Sequence, residues 1–93
     1  MAETRRIDVS NRAADEIASF ARDDQALALL AINWIALDPA PSEDRTKRPA
    51  PFPQHPGTFI AFFGELVLEY RYTDEVLEII GVKCKLRNFP GQR

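Results

Sequence analysis

The side chains with the most chemistry to offer in this chain are its cations. Twelve Lys and Arg stand against fourteen Asp and Glu, for a net charge of −2, so no global positive field draws nucleic acid in. Their distribution says more. Residues 1–44 hold nine acids and four bases, whereas Arg45, Lys47 and Arg48 form one short basic group. Lys83, Lys85, Arg87 and Arg93 form a second group in a segment, 83–93, that carries no acid. Bases alternating along one strand face can follow a phosphate backbone or an acidic partner. The plainer reading is solvated surface, or strand-end charge that keeps a sheet edge from pairing with another chain. Arg45, Lys47, Arg48, Arg71, Lys83, Lys85 and Arg87 are therefore the candidate contacts for nucleic acid or an acidic partner.

The remaining reactive side chains are sparse. His55, the sole imidazole, sits in His-Pro-Gly at 55–57. It is a candidate for proton transfer only if a partner shifts its pKa, and an exposed loop histidine reads more simply as surface. Cys84 is the one cysteine, which excludes an intramolecular disulfide and fits a reducing compartment. It lies on the apolar parity of the last strand with no His near in sequence, as an inert thiol would. No His/Cys cluster or Gly-rich phosphate loop stands in the chain, so neither a metal nor a cofactor is expected. No carboxylate pair has the spacing of a glycosidase, and nothing marks a small-molecule pocket. Residues 1–9 lack the apolar core of a secretory signal, and the longest apolar run, 26–32, is too short to cross a bilayer. These features predict a cytoplasmic protein with no membrane partner.

The elements that must position these residues follow from period and punctuation. Ninety-three residues predict one domain, 1–93, with a proline-rich loop at 38–56 and a tail at 88–93. Residues 6–9 alternate as a short strand. Ser10 or Asn11 can cap the helix that follows, in which Ala13, Ile17 and Phe20 recur at helical spacing. Asp23-Asp24 punctuates the chain before a second helix over 25–37 that is apolar almost all round. Leu27, Leu30, Trp34 and Leu37 form one stripe, with Leu29, Ile32 and Ala36 off it. A helix so poor in polar positions is covered on more than one side, which makes Leu29, Ile32 and Ala36 candidates for a partner interface. Asp38-Pro39 ends it. Six of the seven prolines fall in 38–56, a segment with no hydrophobic period. Strands are predicted over 58–63, 66–72 and 76–87, with Gly64-Glu65 as a two-residue hairpin and Gly81 as a possible bulge. Tyr70 and Tyr72 share the core parity of the second of these strands. In the last, Val76, Ile80, Val82, Cys84 and Leu86 share one parity and Lys83, Lys85 and Arg87 the other. The fold class is α+β: strand, two-helix hairpin, then a three-stranded antiparallel meander, with the helices on one face of the sheet.

That order resembles the RelE/ParE toxin superfamily of bacterial toxin–antitoxin systems. The resemblance spans roughly residues 6–89. It is carried by Leu37-Asp38-Pro39 at the end of the second helix, Gly64 before the middle meander strand, Tyr70 six residues later, and Ile80-Gly-Val-Lys-Cys-Lys in the last strand. It implies a toxin-like chain that acts on a macromolecule, either ribosome-bound mRNA or DNA gyrase, and is held by an antitoxin or in a homodimer. The chain departs from the RNA-cleaving branch at the positions that branch uses. Val67 stands where an Arg is typical, Cys84-Lys85 replaces a His-Arg pair, and Phe89 replaces a Tyr found in some members. If RNA is cleaved, the cations bind phosphate, with Lys85 and His55 the candidates for catalysis. The alternative is a non-catalytic interaction module that retains the fold.

Overall fold

The computed structural model describes residues 5–51 and 57–84. Along them run β1 (Arg6–Val9), α1 (Asn11–Ala18), α2 (Arg22–Leu37), β2 (Lys47–Pro49), β3 (Phe59–Phe63), β4 (Leu66–Tyr72) and β5 (Val76–Cys84). The strands form one sheet in the order β1-β5-β4-β3-β2. β1 runs parallel to β5 and the other neighbours are antiparallel. Parallel strands cannot be joined by a tight turn, and here α1, α2, β2, β3 and β4 intervene between β1 and β5.

One small side chain directs the first crossover. The Ser10 hydroxyl accepts from the Ala13 amide (3.0 Å), capping α1, and donates to the Ile80 carbonyl (2.8 Å). Its own amide donates to the Ile79 carbonyl (2.9 Å). Ser10 thus ends β1, starts α1 and fixes both to β5. The break between helices comes at residues 19–21. There the Gln25 side-chain Nε2 donates to the carbonyls of Ala18, at the end of α1, and Phe20, in the break. Asp23 and Asp24 stand inside the first turn of α2, after the break, where carboxylates suit the positive helix end.

The segment 38–56 is not all loop. Lys47–Pro49 pairs with β3 as an edge strand, Lys47 opposite Ala61 and Pro49 opposite Phe59. A proline at the end of an edge strand leaves the ladder intact, since its missing N–H is not needed there. The turn before it is built on Asp44, whose carboxylate accepts from Ser42 Oγ (2.7 Å), the Thr46 amide (3.0 Å) and Thr46 Oγ1 (2.8 Å). Those bonds, the Ser42 hydroxyl first, hold the Asp44 carboxyl at about 2.

The core lies between the helices and one face of the sheet. Leu66, Leu68, Tyr70, Leu77, Ile79, Val82 and Cys84 supply the strand side, and Ala13, Ala28, Ala31, Ile32 and Ile35 the helix side. The strand parity expected for β5 holds for only half its length. Glu69 pairs with Gly81 but Tyr70 with Ile79, so Ile80 is an extra residue and the ladder slips. Before the bulge Leu77 and Ile79 face the core; after it Val82 and Cys84 do. The stripe expected on α2 likewise holds only in part. Ile32, expected at a partner interface, is buried in the core at 4% exposure, while Leu29, Leu30 and Leu37 stand outside at 59%, 59% and 85%. The strands bring large side chains, and α2 meets them with Ala28, Ala31, Ile32 and Ile35; Leu27 and Trp34 of the expected stripe pack against this core, while Leu30 and Leu37 are left outside. Of the three expected interface residues, Leu29 is exposed, Ala36 is half-buried against the core and Ile32 is inside it.

Candidate nucleic-acid or partner interface

The sheet face opposite the core carries the candidate cations. Residues alternate across a pleated strand, so the rows behind the buried Ala61, Leu68 and Val82 are set by the register. Arg48, Ile60, Glu69 and Gly81 lie in one row, Phe62, Val67 and Lys83 in the next, and Arg71 opposite Glu78 in a third. Ile60, Phe62 and Val67 form an apolar middle interrupted by the Glu69 carboxylate, with cations at both margins, Arg48 on β2 and Lys83 on β5.

Geometry sorts the candidates. Lys47 is 6% exposed and points to the core side. Its Nζ donates to the Asp38 carbonyl (2.6 Å) and sits 4.6 Å from the centre of the Trp34 ring, which itself leans on Phe63 at 5.1 Å. The ammonium therefore caps a carbonyl at the end of α2 and ties β2 under the helix; it is a structural pin and not a surface contact. Arg71 Nε donates to Glu78 Oε1 (2.8 Å) across β4 and β5. Lys83 Nζ donates to Glu16 Oε2 (2.7 Å). Both cations are thus partnered by carboxylates.

Arg48 differs. Its guanidinium carbon lies 5.0 Å from the centre of the Phe62 ring, and its Nε is buried without a hydrogen-bond partner among the described residues. That distance is within cation–π range. Arg45 is exposed at φ 65, a left-handed position that closes the Ser42–Thr46 turn. His55, Lys85 and Arg87 lie outside the described residues, as does Phe89. Cys84 is buried, as its strand parity predicts.

The residue that sequence reasoning missed is Glu16, read only as a polar spacer on α1. β1 ends opposite Ile79, and among the described residues no strand pairs with the outer edge of β5 from there on. Glu16 fills that gap. Its Oε1 accepts from the Val82 amide (2.7 Å), while Oε2 receives Lys83 Nζ and, at 3.3 Å, Arg12 Nε. Burial by itself would raise this carboxyl, but the Lys83 and Val82 hydrogen bonds and the charges of Lys83 and Arg12 together hold it below the ordinary value. Gly81 leaves room for this, since a side chain there would meet Glu16 Oε1 at 3.3 Å. The only sequence signal is that Arg12 and Glu16 are four apart on one helix.

Tyr70 has a similar hidden duty. It is fully buried, and its hydroxyl donates to the Pro39 carbonyl (2.6 Å), anchoring the chain just past α2. Burial, with Tyr72 and Asp38 nearby, pushes its phenol well above the ordinary range, so it stays a donor at any working pH. Among the described residues no cluster of His, Cys, Asp or Glu is arranged to hold a metal, and no helix is long and apolar enough to cross a membrane.

A two-helix layer on one face of a sheet that ends in an antiparallel meander is the RelE/ParE-like toxin fold, and this chain has it. It is similar to a chain of the RelBE2 toxin–antitoxin complex from Mycobacterium tuberculosis, with 21% identity, a TM-score of 0.69, and coverage of 88% of this chain and 99% of that one. It is also similar to YafQ from E. coli, with 16% identity, a TM-score of 0.67, and coverage of 91% and 98%. A chain of the archaeal RelE–RelB complex from Pyrococcus horikoshii gives 17% identity, a TM-score of 0.65, and coverage of 91% and 99%. No protein-family model matches the sequence, and no curated protein matches it significantly.

Proposed function

We propose that this chain is the toxin-like component of a toxin–antitoxin pair, acting in the cytoplasm by binding a macromolecule and not by cleaving RNA. The observation that carries the reading is the fold, shared over nearly the whole length of chains taken from toxin–antitoxin complexes. An antitoxin is the partner this implies, and ribosome-bound mRNA or DNA gyrase the target.

The preference for binding over cleavage rests on the cations. RNA cleavage needs positive groups free to meet the phosphate and a matched pair to move the 2′-hydroxyl proton. Among the described candidates, Lys83 and Arg71 are neutralised by Glu16 and Glu78, and Lys47 is consumed beneath Trp34. Val67 stands in the middle of the face, directly opposite Lys83. What remains is a face of Ile60, Phe62 and Val67 with the Glu69 carboxylate among them and the Arg48 guanidinium at one margin, better suited to docking than to proton transfer.

The experiment is expression of the chain with and without its neighbouring gene product. Growth arrest that co-expression of the neighbour relieves is the expected result, and unaltered growth in both would sink the toxin reading. The pI near 5.3 and the neutralised cations favour a second reading, a non-catalytic module that kept the fold. That reading expects no growth effect and a stable complex.

A further inference from the structure

The two edges of the sheet are finished differently. At β2, Thr46 and Ala50 bond to the β3 side, so the N–H and C=O of Lys47 point away from the sheet. Ser42 takes both: its hydroxyl accepts from the Lys47 amide (3.1 Å) and its amide donates to the Lys47 carbonyl (2.9 Å). Pro49 has no N–H to offer, so that edge is closed. At β1, the amides of Arg6 and Ser10 donate to the Glu75 and Ile79 carbonyls. Alternation then turns the N–H and C=O of Ile7 and Val9 outward, and nothing among the described residues takes them. Arg5 extends this edge, held by its Nε–H on the Thr73 carbonyl (2.7 Å) and by its guanidinium 5.6 Å from the Tyr72 ring centre. Ile7 packs on the core, which puts Arg6 and Asp8 together on the opposite face. There Asp8 stands beside Glu78 in the register. Glu78 has Arg71 as its cation, whereas Asp8 is met by Arg6 of its own strand, at 3.3 Å and with both side chains in solvent.

We infer that β1 pairs with β1 of a second copy of this chain, antiparallel about a two-fold axis at Ile7. An antiparallel ladder joins facing residues whose N–H and C=O both point at the partner. An axis at Ile7 meets that need for Ile7 against Ile7, and for Arg5 against Val9 on either side. It also sets Arg6 of each copy directly opposite Asp8 of the other, on the same face, and does so twice. Asp8 then has a cation on the side away from Glu78. Axes at Arg6 or at Asp8 keep the hydrogen bonds in phase but place like charges opposite each other. The charge pattern therefore selects one register, and the strand that complements β1 in that register is β1 itself. The two five-stranded sheets join into one, with the helices of both copies on the same face.

The test is the mass of the full purified chain by sedimentation equilibrium over a range of concentrations, with circular dichroism to show that each variant is folded. The expected result is an association from 10.5 kDa toward twice that mass. Arg6→Asp and Asp8→Arg each set like charges opposite at both cross-strand sites and should raise the dimer dissociation constant about tenfold or more. Mixed one to one, the two variants should associate with each other, because every such site then joins an acid to a base. The pair within one strand is lost in both variants, so only pairing between chains can produce that rescue. Val9→Pro removes an outward N–H, leaves the bonds to β5 in place and should also weaken the dimer. Overturning results are a monomer at every concentration, a dimer indifferent to these changes, or a mixture no better than its components. If the chain alone stays monomeric and the neighbouring gene product pairs with β1, the proposal also fails and the edge belongs to that partner. None of these readouts depends on whether the chain arrests growth.

Discussion

Replacing Glu16 tests whether an exposed-looking helix residue holds the sheet edge. Two terms are at stake and the structure separates them. The Val82 amide belongs to a residue only 1% exposed, and Glu16 Oε1 is its acceptor at 2.7 Å. Leaving such a donor unsatisfied costs about 1–3 kcal/mol. The contacts to Lys83 and Arg12 are different in kind, since those side chains are about half exposed and such pairs are worth at most about 1 kcal/mol. Glu16→Ala removes both terms and should cost about 2–3 kcal/mol, or roughly 8–20 °C in Tm for a domain of this size. Glu16→Gln keeps a carbonyl acceptor for Val82 and should cost less than about 1 kcal/mol, and Lys83→Ala less still. The assay is urea unfolding followed by the fluorescence of Trp34, the only tryptophan, which packs on Phe63 and reports the α2–β3 contact. Equal losses for Glu16→Ala and Glu16→Gln would refute the hydrogen-bond reasoning and leave charge as the whole effect. A loss below about 0.5 kcal/mol for Glu16→Ala would show that the edge needs no closing.

Other outcomes follow from the same geometry. Tyr70→Phe leaves the Pro39 carbonyl without its donor and should cost about 1–3 kcal/mol in the same unfolding assay. Lys47→Met keeps the aliphatic stem against Trp34 but loses the bond to Asp38, and should loosen β2 measurably. Faster amide exchange at Phe62, whose N–H bonds to the Thr46 carbonyl, is the readout. Because the folded pKa of Glu16 lies below its unfolded value of 4.5, its contribution is full above that pH and is lost as pH falls through the folded value. Unfolding free energies measured between pH 6 and pH 3 should therefore decline more for the native chain than for Glu16→Gln, and parallel curves would contradict this.

The meander and its helix pair were legible because alternation and helical spacing report burial directly. Leu66, Leu68 and Tyr70 fell on the core face as their parity required. Three features were not legible, each for a physical reason. β2 is three residues in a proline-rich segment, and its pairing comes from β3 across the chain and not from its own pattern. The parity of β5 changes at Ile80, since a bulge inserts one residue without altering composition. The buried face of α2 was read only in part, with Leu27 and Trp34 on it but Leu30 and Leu37 off it, because a helix apolar all round carries no periodic signal. The candidate site shared this limit. The sequence marks where cations stand, but Glu16 and Glu78, which neutralise two of them, become neighbours only through long-range pairing.

The central claim is a toxin-type fold that acts by docking, with Lys47, Arg71 and Lys83 already engaged within the chain. The most direct measurement is a map of mRNA 5′ ends on translating ribosomes from cells arrested by this chain. The account predicts arrest with the same ends as in uninduced cells. New, codon-phased ends that appear on induction and disappear in a Lys83→Ala or Arg48→Ala chain would contradict it.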